Sequence, residues 1–262
     1  MPFTLAHPAA VLPLRRIWPS AFLALVLGSI APDLPFFLPY RVMHALPSTH
    51  SLLGALTVAP LLGFAVLVVL VLLQPVLLKP LWGKHRALLR RELFPFRRSL
   101  VPWLKAPPAL CLGSSSHYLW DAATHRDGVI VGLLPLMDTP LPPVWGHSST
   151  VYLLLQYLSS LSGLAILVWW YLQELLATEP IGEEARSAGQ AAWLVFILLT
   201  AAVLASRADL RTLPYHPGLG GLLYAGLTHF VADFVVLYAV WGLSALCFGV
   251  VPIRPDTQRV ES

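Results

Sequence analysis

Between Ser51 and Leu73 the chain runs Leu-Leu-Gly-Ala-Leu-Thr-Val-Ala-Pro-Leu-Leu-Gly-Phe-Ala-Val-Leu-Val-Val-Leu-Val-Leu without a charge. A helix on the surface of a soluble fold needs one polar face, and this run has none. About 20 apolar residues in succession is the length that crosses the hydrocarbon core of a bilayer. Comparable runs occupy residues 150–173, 188–206 and 219–249, and 107–125 is apolar at its start. Residues 20–38 are apolar but broken by Pro32 and Pro35, and a short apolar piece from Leu5 to Leu14 ends at Arg15-Arg16. The pattern predicts an all-α, polytopic α-helical membrane protein with about six membrane segments, the first irregular or hairpin-like. It predicts one integral membrane domain over residues 1–262.

Composition agrees. Of 262 residues, 57% are hydrophobic and 11% charged, against about 25% charged in an ordinary soluble domain. The net charge of +4 belongs to topology rather than to nucleic acid, because the basic residues gather between apolar runs. Cys111 and Cys247 sit in apolar sequence and read as small packing residues. No basic stretch, apolar core and small-residue cleavage site open the chain, so no removable leader is expected.

Lys79, Lys84, Arg86, Arg90, Arg91, Arg97, Arg98 and Lys105 crowd one loop, 79–105, which the positive-inside rule assigns to the cytoplasm. Threading from that loop puts Arg15, Arg16, Arg186, Arg254 and Arg259 on the same side and leaves Arg41, Arg126, Arg207 and Arg211 outside. Both termini are then cytoplasmic, in a bacterial inner membrane. The acidic residues Glu174, Glu179, Glu183 and Glu184 carry little weight in this rule. The outer loop 126–149 is rich in Pro and Gly and predicts an irregular, stiff cover.

Inside these runs stand ionisable residues, which are costly in a bilayer and are usually kept for function. His117, Asp121 and His125 follow one another at four-residue steps. On a helix each step turns about 40° and rises roughly 6 Å, so the three share a face. The predicted topology brings Asp33 and His50 to a similar depth, and His229 and Asp233 repeat the His-x-x-x-Asp spacing in the last segment. Imidazole and carboxylate together suit zinc first, then manganese or iron. His117 and His125 would lie roughly 12 Å apart, a stretch that a second ion would bridge more easily; paired ions about 3.5–4 Å apart are common in ester and phosphoester hydrolysis.

Plainer readings stand beside this one. A His-x-x-x-Asp pair in a membrane helix also serves as a buried hydrogen-bonded pair or a proton relay, and His229 and Asp233 can pair with each other. His44, His85, His147 and His216 fall in loops or at segment ends, where a solvated histidine is ordinary. Arg126 can neutralise an anionic substrate. Trp169-Trp170-Tyr171 fits an interfacial aromatic belt. Gln156, Tyr157, Ser159, Ser160 and Ser162 suit helix packing, with Gln156 or Tyr157 able to support a ligand. No P-loop, GxGxxG, GxSxG or HExxH motif is present.

The opening Met1-Pro-Phe-Thr-Leu-Ala-His7-Pro-Ala-Ala-Val-Leu-Pro13 resembles an uncharacterised bacterial integral membrane family that begins MPFTxxHPAAVLP. So do Gly28-Ser29-Ile30-Ala31-Pro32-Asp33, Thr49-His50-Ser51, the His117/Asp121/His125 row and Gln156-Tyr157-x-Ser159-Ser160, out to about residue 175. In outline this is similar to the membrane-bound metal-dependent hydrolase group. The resemblance implies metal roles for His7, Asp33, His50, His117, Asp121 and His125, with Asp33 and Asp121 as catalytic carboxylates. Where that group often shows Pro-Asp-x-Asp, this chain has Pro32-Asp33-Leu-Pro35 and lacks the second carboxylate. For His7 to join a site toward the outer face, the N-terminus must form a hairpin that turns at Arg15-Arg16.

These readings predict an intramembrane metal-dependent hydrolase, holding one divalent ion or two and acting on a lipid-like or membrane-delivered ester or phosphoester. Membrane lipids are its expected partners. A proton-coupled carrier using the His/Asp row as an ion path, or a scaffold with a structural metal, are the alternatives.

Overall fold

Pro8 and Pro13 deny the first segment two backbone donors, and residues Thr4–Arg16 wind as a tight 3-10 helix instead of an α-helix. In a computed structural model, which describes residues 4–38, 40–78, 81, 83–144, 147–180, 193, 195–205 and 219–247, this helix ends in a turn. There the Ile17 and Trp18 amides both donate to the Leu14 carbonyl. The chain then reverses through Pro19–Ala21 into α1 (Phe22–Ile30) and a second 3-10 stretch, Ala31–Phe37, that carries Pro32 and Pro35. The expected hairpin is present, and it turns at Arg15-Arg16.

The remaining helices are α2 (Tyr40–Ala45), α3 (Leu52–Leu56), α4 (Val58–Leu72), α5 (Gln74–Leu78), α6 (Gly83–Arg98), α7 (Val101–Thr124), α8 (Val129–Leu133), α9 (Val151–Ala177), α10 (Val195–Ala205) and α11 (Leu219–Cys247). Helix dominates the described residues. Among the described residues, three stretches are long and apolar enough to cross a membrane: Pro19–Phe37, Leu52–Leu72 and Val151–Ala177. Helix α7 has the length, at 24 residues, but serine, histidine and aspartate dilute its apolar character. Lys79, Arg186, Arg207, Arg211, His216, Arg254 and Arg259, and both termini, lie outside the described residues.

Glycine sets the central packing. A Cβ on Gly28 would stand 2.4 Å from the Leu110 carbonyl, and one on Gly113 would stand 2.3 Å from the Leu25 carbonyl and 2.7 Å from the Ser29 nitrogen. Helices α1 and α7 therefore touch backbone to backbone, as small residues allow in helix pairs. Around this crossing Val11, Phe22, Leu25, Leu67, Leu93, Phe96 and Leu110 form the core. Helix α9 lays Gln156, Ser160 and Gly163, one face at helical spacing, toward the Thr4–Arg16 segment.

Basic residues cluster at one end of the bundle. The expected loop 79–105 is largely the amphipathic α6, which buries Ala87, Leu88, Leu93 and Phe96 and exposes Arg97 and Arg98. Arg15, at the hairpin turn, pairs with Glu174 through both terminal nitrogens, and Arg91 reaches the same carboxylate at 2.8 Å. The Arg15 guanidinium also lies over the rings of Phe22 and Trp170. Burial pushes the nearby Glu92 carboxyl up from its usual range, while Arg91 and Arg15 pull the other way. His85 bonds to the Tyr171 hydroxyl, so the aromatic tract meets the basic end as the sequence suggests.

At the opposite end the loop 126–149 is more ordered than its prolines and glycines suggest. It contains α8, a 3-10 turn at Pro135–Asp138 and an antiparallel hairpin of β1 (Pro140–Val144) and β2 (His147–Thr150), paired Pro140 to Thr150 and Leu141 to Ser149. Extended backbone before each proline favours such a strand.

Candidate metal centre

Helix α7 lifts His117 and Asp121 away from the basic end. Asp121 lies twenty residues past Val101, or about 30 Å along the axis. Both side chains point at the α1 hairpin because Gly113, one turn earlier, brings that hairpin against the same face. Four segments then meet: Thr4–Arg16 supplies His7, Ala31–Phe37 supplies Asp33, the turn before α3 supplies His50, and α7 supplies the last two. His7, Asp33, His117 and Asp121 are buried, and His50 is partly exposed.

Their donor atoms crowd together. His117 Nε2 lies 3.2 Å from Asp121 Oδ2 and 3.6 Å from Asp33 Oδ1. His50 Nε2 lies 2.9 Å from Asp33 Oδ1 and 3.8 Å from Asp121 Oδ2. His7 Nε2 lies 3.6 Å from Asp121 Oδ1, and its ring stacks on that of His117 with centroids 3.8 Å apart. Two triads, His7/Asp33/His117 and His50/His117/Asp121, each hold their donor atoms within 4.8 Å. The sequence-predicted residues on four separate segments are thus brought to one place.

Hydrogen bonds orient both rings. His117 Nδ1 is 2.8 Å from the Ser29 carbonyl, which can only accept, so Nδ1 carries a proton, and in the neutral ring Nε2 offers its lone pair to whatever sits between it and the carboxylates. Thr49 donates its hydroxyl to the Pro32 carbonyl at 2.7 Å and meets His50 Nδ1 at 3.2 Å, while His50 Nε2 hydrogen-bonds to Asp33 Oδ1 at 2.9 Å. His117 Nε2 and Asp121 Oδ1 are buried without a hydrogen-bond partner, as is His7 Nδ1.

His125 has a different place. Helix α7 ends at Thr124, and His125 caps it, its amide still donating to the Asp121 carbonyl at 2.9 Å before the backbone turns extended (φ −111°, ψ 147°). Its Nδ1 comes 3.2 Å from Asp121 Oδ1. Thr124, whose hydroxyl donates to the Trp120 carbonyl, accepts from that Nδ1 at 3.2 Å, and the Gln156 amide reaches Nε2 at 2.8 Å. Both ring nitrogens are occupied, and His125 lies outside the two triads while touching Asp121. Gln156 takes the supporting position its sequence neighbourhood suggested; Tyr157 is exposed and takes none.

His229 and Asp233 are half-buried on α11 and join neither triad. Nothing is described for the side chains of His44 and His147. Sequence reasoning passed over the Ser29 carbonyl and Thr124, which orient the donors. Its one available signal was Gly113-x-x-x-His117, small residue and ligand on one helix face.

A model of one protein family matches residues 1–253. The chain belongs to the DUF4184 family, a domain of unknown function. Membership covers nearly the whole chain and agrees with an uncharacterised family, while the likeness to metal-dependent hydrolases gains nothing from it. No curated protein and no solved structure matches the chain.

Proposed function

We propose that this DUF4184 member is a polytopic membrane hydrolase that binds one divalent metal ion, with zinc favoured over manganese or iron, through His7, Asp33, His50, His117 and Asp121. The observation that carries the reading is His117, whose Nδ1 is committed to the Ser29 carbonyl while its buried Nε2 and the buried Asp121 Oδ1 have no hydrogen-bond partner. In the neutral ring, a buried lone pair aimed at two carboxylates is repelled unless a cation sits among them. Neutral imidazoles with two carboxylates carry the charge that one divalent ion cancels, and uncancelled buried charge is costly.

Size supports a single ion. Metal–ligand bonds of about 2.0–2.2 Å put neighbouring donors about 2.8–3.6 Å apart; the His–Asp pairs here are 2.9–3.8 Å apart, and each triad lies within 4.8 Å. His117 belongs to both triads and, with Nδ1 committed to Ser29, has one lone pair. It can serve one ion.

Bound there, such an ion would polarise a scissile ester or phosphoester and lower the pKa of a coordinated water toward neutrality. The chain's own residues supply the rest. Asp33, held by His50 at 2.9 Å, is placed to accept a proton from an attacking water. Asp121, with His125 and Gln156 behind it, is held in one orientation. His50, with its side chain 29% exposed, marks the edge that substrate approaches. The six-segment topology, with the basic end in the cytoplasm and the metal centre toward the outer leaflet, belongs to this reading, supported by the distance from α6 to Asp121 and the positive-inside rule.

The test is metal analysis of detergent-purified protein, followed by a screen of lipid esters and phosphoesters with the metal-loaded form. Metal that is lost in His117→Ala, together with hydrolysis lost in Asp33→Asn, supports the reading. Metal binding without hydrolysis of any such substrate overturns the enzyme and leaves a structural ion.

A further inference from the structure

The segment that follows the metal centre is apolar where a water-facing loop would be polar. From Gly128 to Met137 it reads Gly-Val-Ile-Val-Gly-Leu-Leu-Pro-Leu-Met with no charge, bracketed by Arg126 and Asp127 before it and Asp138 after it. Those three charged residues are exposed, and so are most of the apolar ones between them: Val129 is 56%, Leu133 73% and Leu136 68% exposed. Ile130 and Met137 are partly covered, and Val131 turns inward, at 2%.

This surface is continuous with another. The Pro135–Asp138 turn packs on α9, whose first turns expose Leu154, Leu155 and Leu158. Helix α9 is one of the three stretches long and apolar enough to cross a membrane. The apolar coat of a membrane helix thus extends onto α8 at the level of the helix end.

The segment is also clamped to the site. Gly128 donates its amide to the His125 carbonyl at 2.9 Å, and a Cβ at this position would meet the Asp121 carbonyl at 2.8 Å and the Ala122 carbonyl at 2.4 Å. The backbone of a proposed ligand and the root of the apolar segment are in contact.

We infer that residues 129–136 form an apron immersed in the outer-leaflet interface, and that the site takes a bilayer lipid whose polar head reaches the His50–His125 edge while its acyl chains lie on Leu133 and Leu136. This deepens the proposed function and rests on it for the cleavage step alone. An apolar segment flanked by charges, lying in the plane of the interface, is the usual form of an interfacial anchor. Its occupant is lipid rather than a second chain because the exposed leucines continue the lipid-facing side of α9.

Spin labels at L133C, L136C and D138C, in protein with both native cysteines replaced by alanine and reconstituted into phosphatidylcholine–phosphatidylglycerol vesicles, test the immersion. Relaxation by oxygen should dominate at 133 and 136, and relaxation by a water-soluble nickel chelate at 138. Nickel dominance at 133 and 136 overturns the inference, and so does exclusion of both reagents, which a second copy seated there would give. In the cleavage arm, L133N/L136N should lower hydrolysis of vesicle phospholipid by about tenfold or more and spare a short-chain soluble analogue. Equal loss on both substrates overturns lipid delivery. If wild type hydrolyses neither, the proposed function fails and the spin labels alone decide the apron.

Discussion

His117 Nδ1 donates to the Ser29 carbonyl across 2.8 Å, a bond between α7 and α1 that depends on two glycines. It ties the backbone-to-backbone crossing of α1 and α7 to the orientation of the proposed ligand. Packing and chemistry meet at one contact, so changes to either should be read in the other.

Gly113→Ala should therefore destabilise the protein and weaken metal binding together. The added methyl meets backbone on α1, which cannot move as a side-chain tip can. Overpacking of this kind costs about 1–3 kcal/mol. Thermal unfolding in detergent, with and without added zinc, checks this; a wild-type midpoint and wild-type metal content would contradict it.

Thr49→Val should leave the fold intact and lower metal affinity by about 10–100-fold, the usual effect of removing a group that orients a ligand. The hydroxyl that meets His50 Nδ1 is gone, and the imidazole is held less firmly. Thr49→Ser keeps the hydroxyl and should restore affinity. Metal titration against a competing chelator reads both variants.

His125→Ala should still bind one ion, more weakly, because His125 touches Asp121 without an available lone pair. Gln156→Ala should act in the same direction with a smaller effect. Complete loss of metal in His125→Ala, equal to that of His117→Ala, would place His125 among the ligands after all.

These residues also show how far the sequence carries. The hairpin was legible because His7, Arg15-Arg16 and Asp33 leave few ways to bring both ends of the segment together. The convergence of Asp33, His50, His117 and Asp121 was legible from helical spacing and common depth. The surroundings of His125 were not, since spacing shows that it reaches Asp121 but not that Thr124 and Gln156 meet its two ring nitrogens. Nor were the orienting groups: a backbone carbonyl such as that of Ser29 leaves no trace in composition. The order within 126–149 was hidden because prolines and glycines mark turns without showing which extended pieces pair. On the last helix His229 and Asp233 repeat the spacing and join neither triad, in keeping with a sequence that leaves them outside the expected ligand set.

Arg15→Ala should lower the unfolding midpoint while leaving metal content unchanged. Arg15 joins the hairpin turn to Glu174 and covers Phe22 and Trp170, at the far end of the bundle from Asp121. Loss of metal in this variant at temperatures well below its midpoint would show that the two ends are coupled more tightly than their separation suggests.

The most direct test of the central claim is the metal stoichiometry of purified wild-type protein beside His117→Ala and Asp121→Asn, measured by mass spectrometry after exposure to zinc, manganese and iron. The single-ion centre predicts about one equivalent in the wild type and essentially none in either variant. Equal metal content in all three proteins, or a wild type that retains no ion, would contradict it.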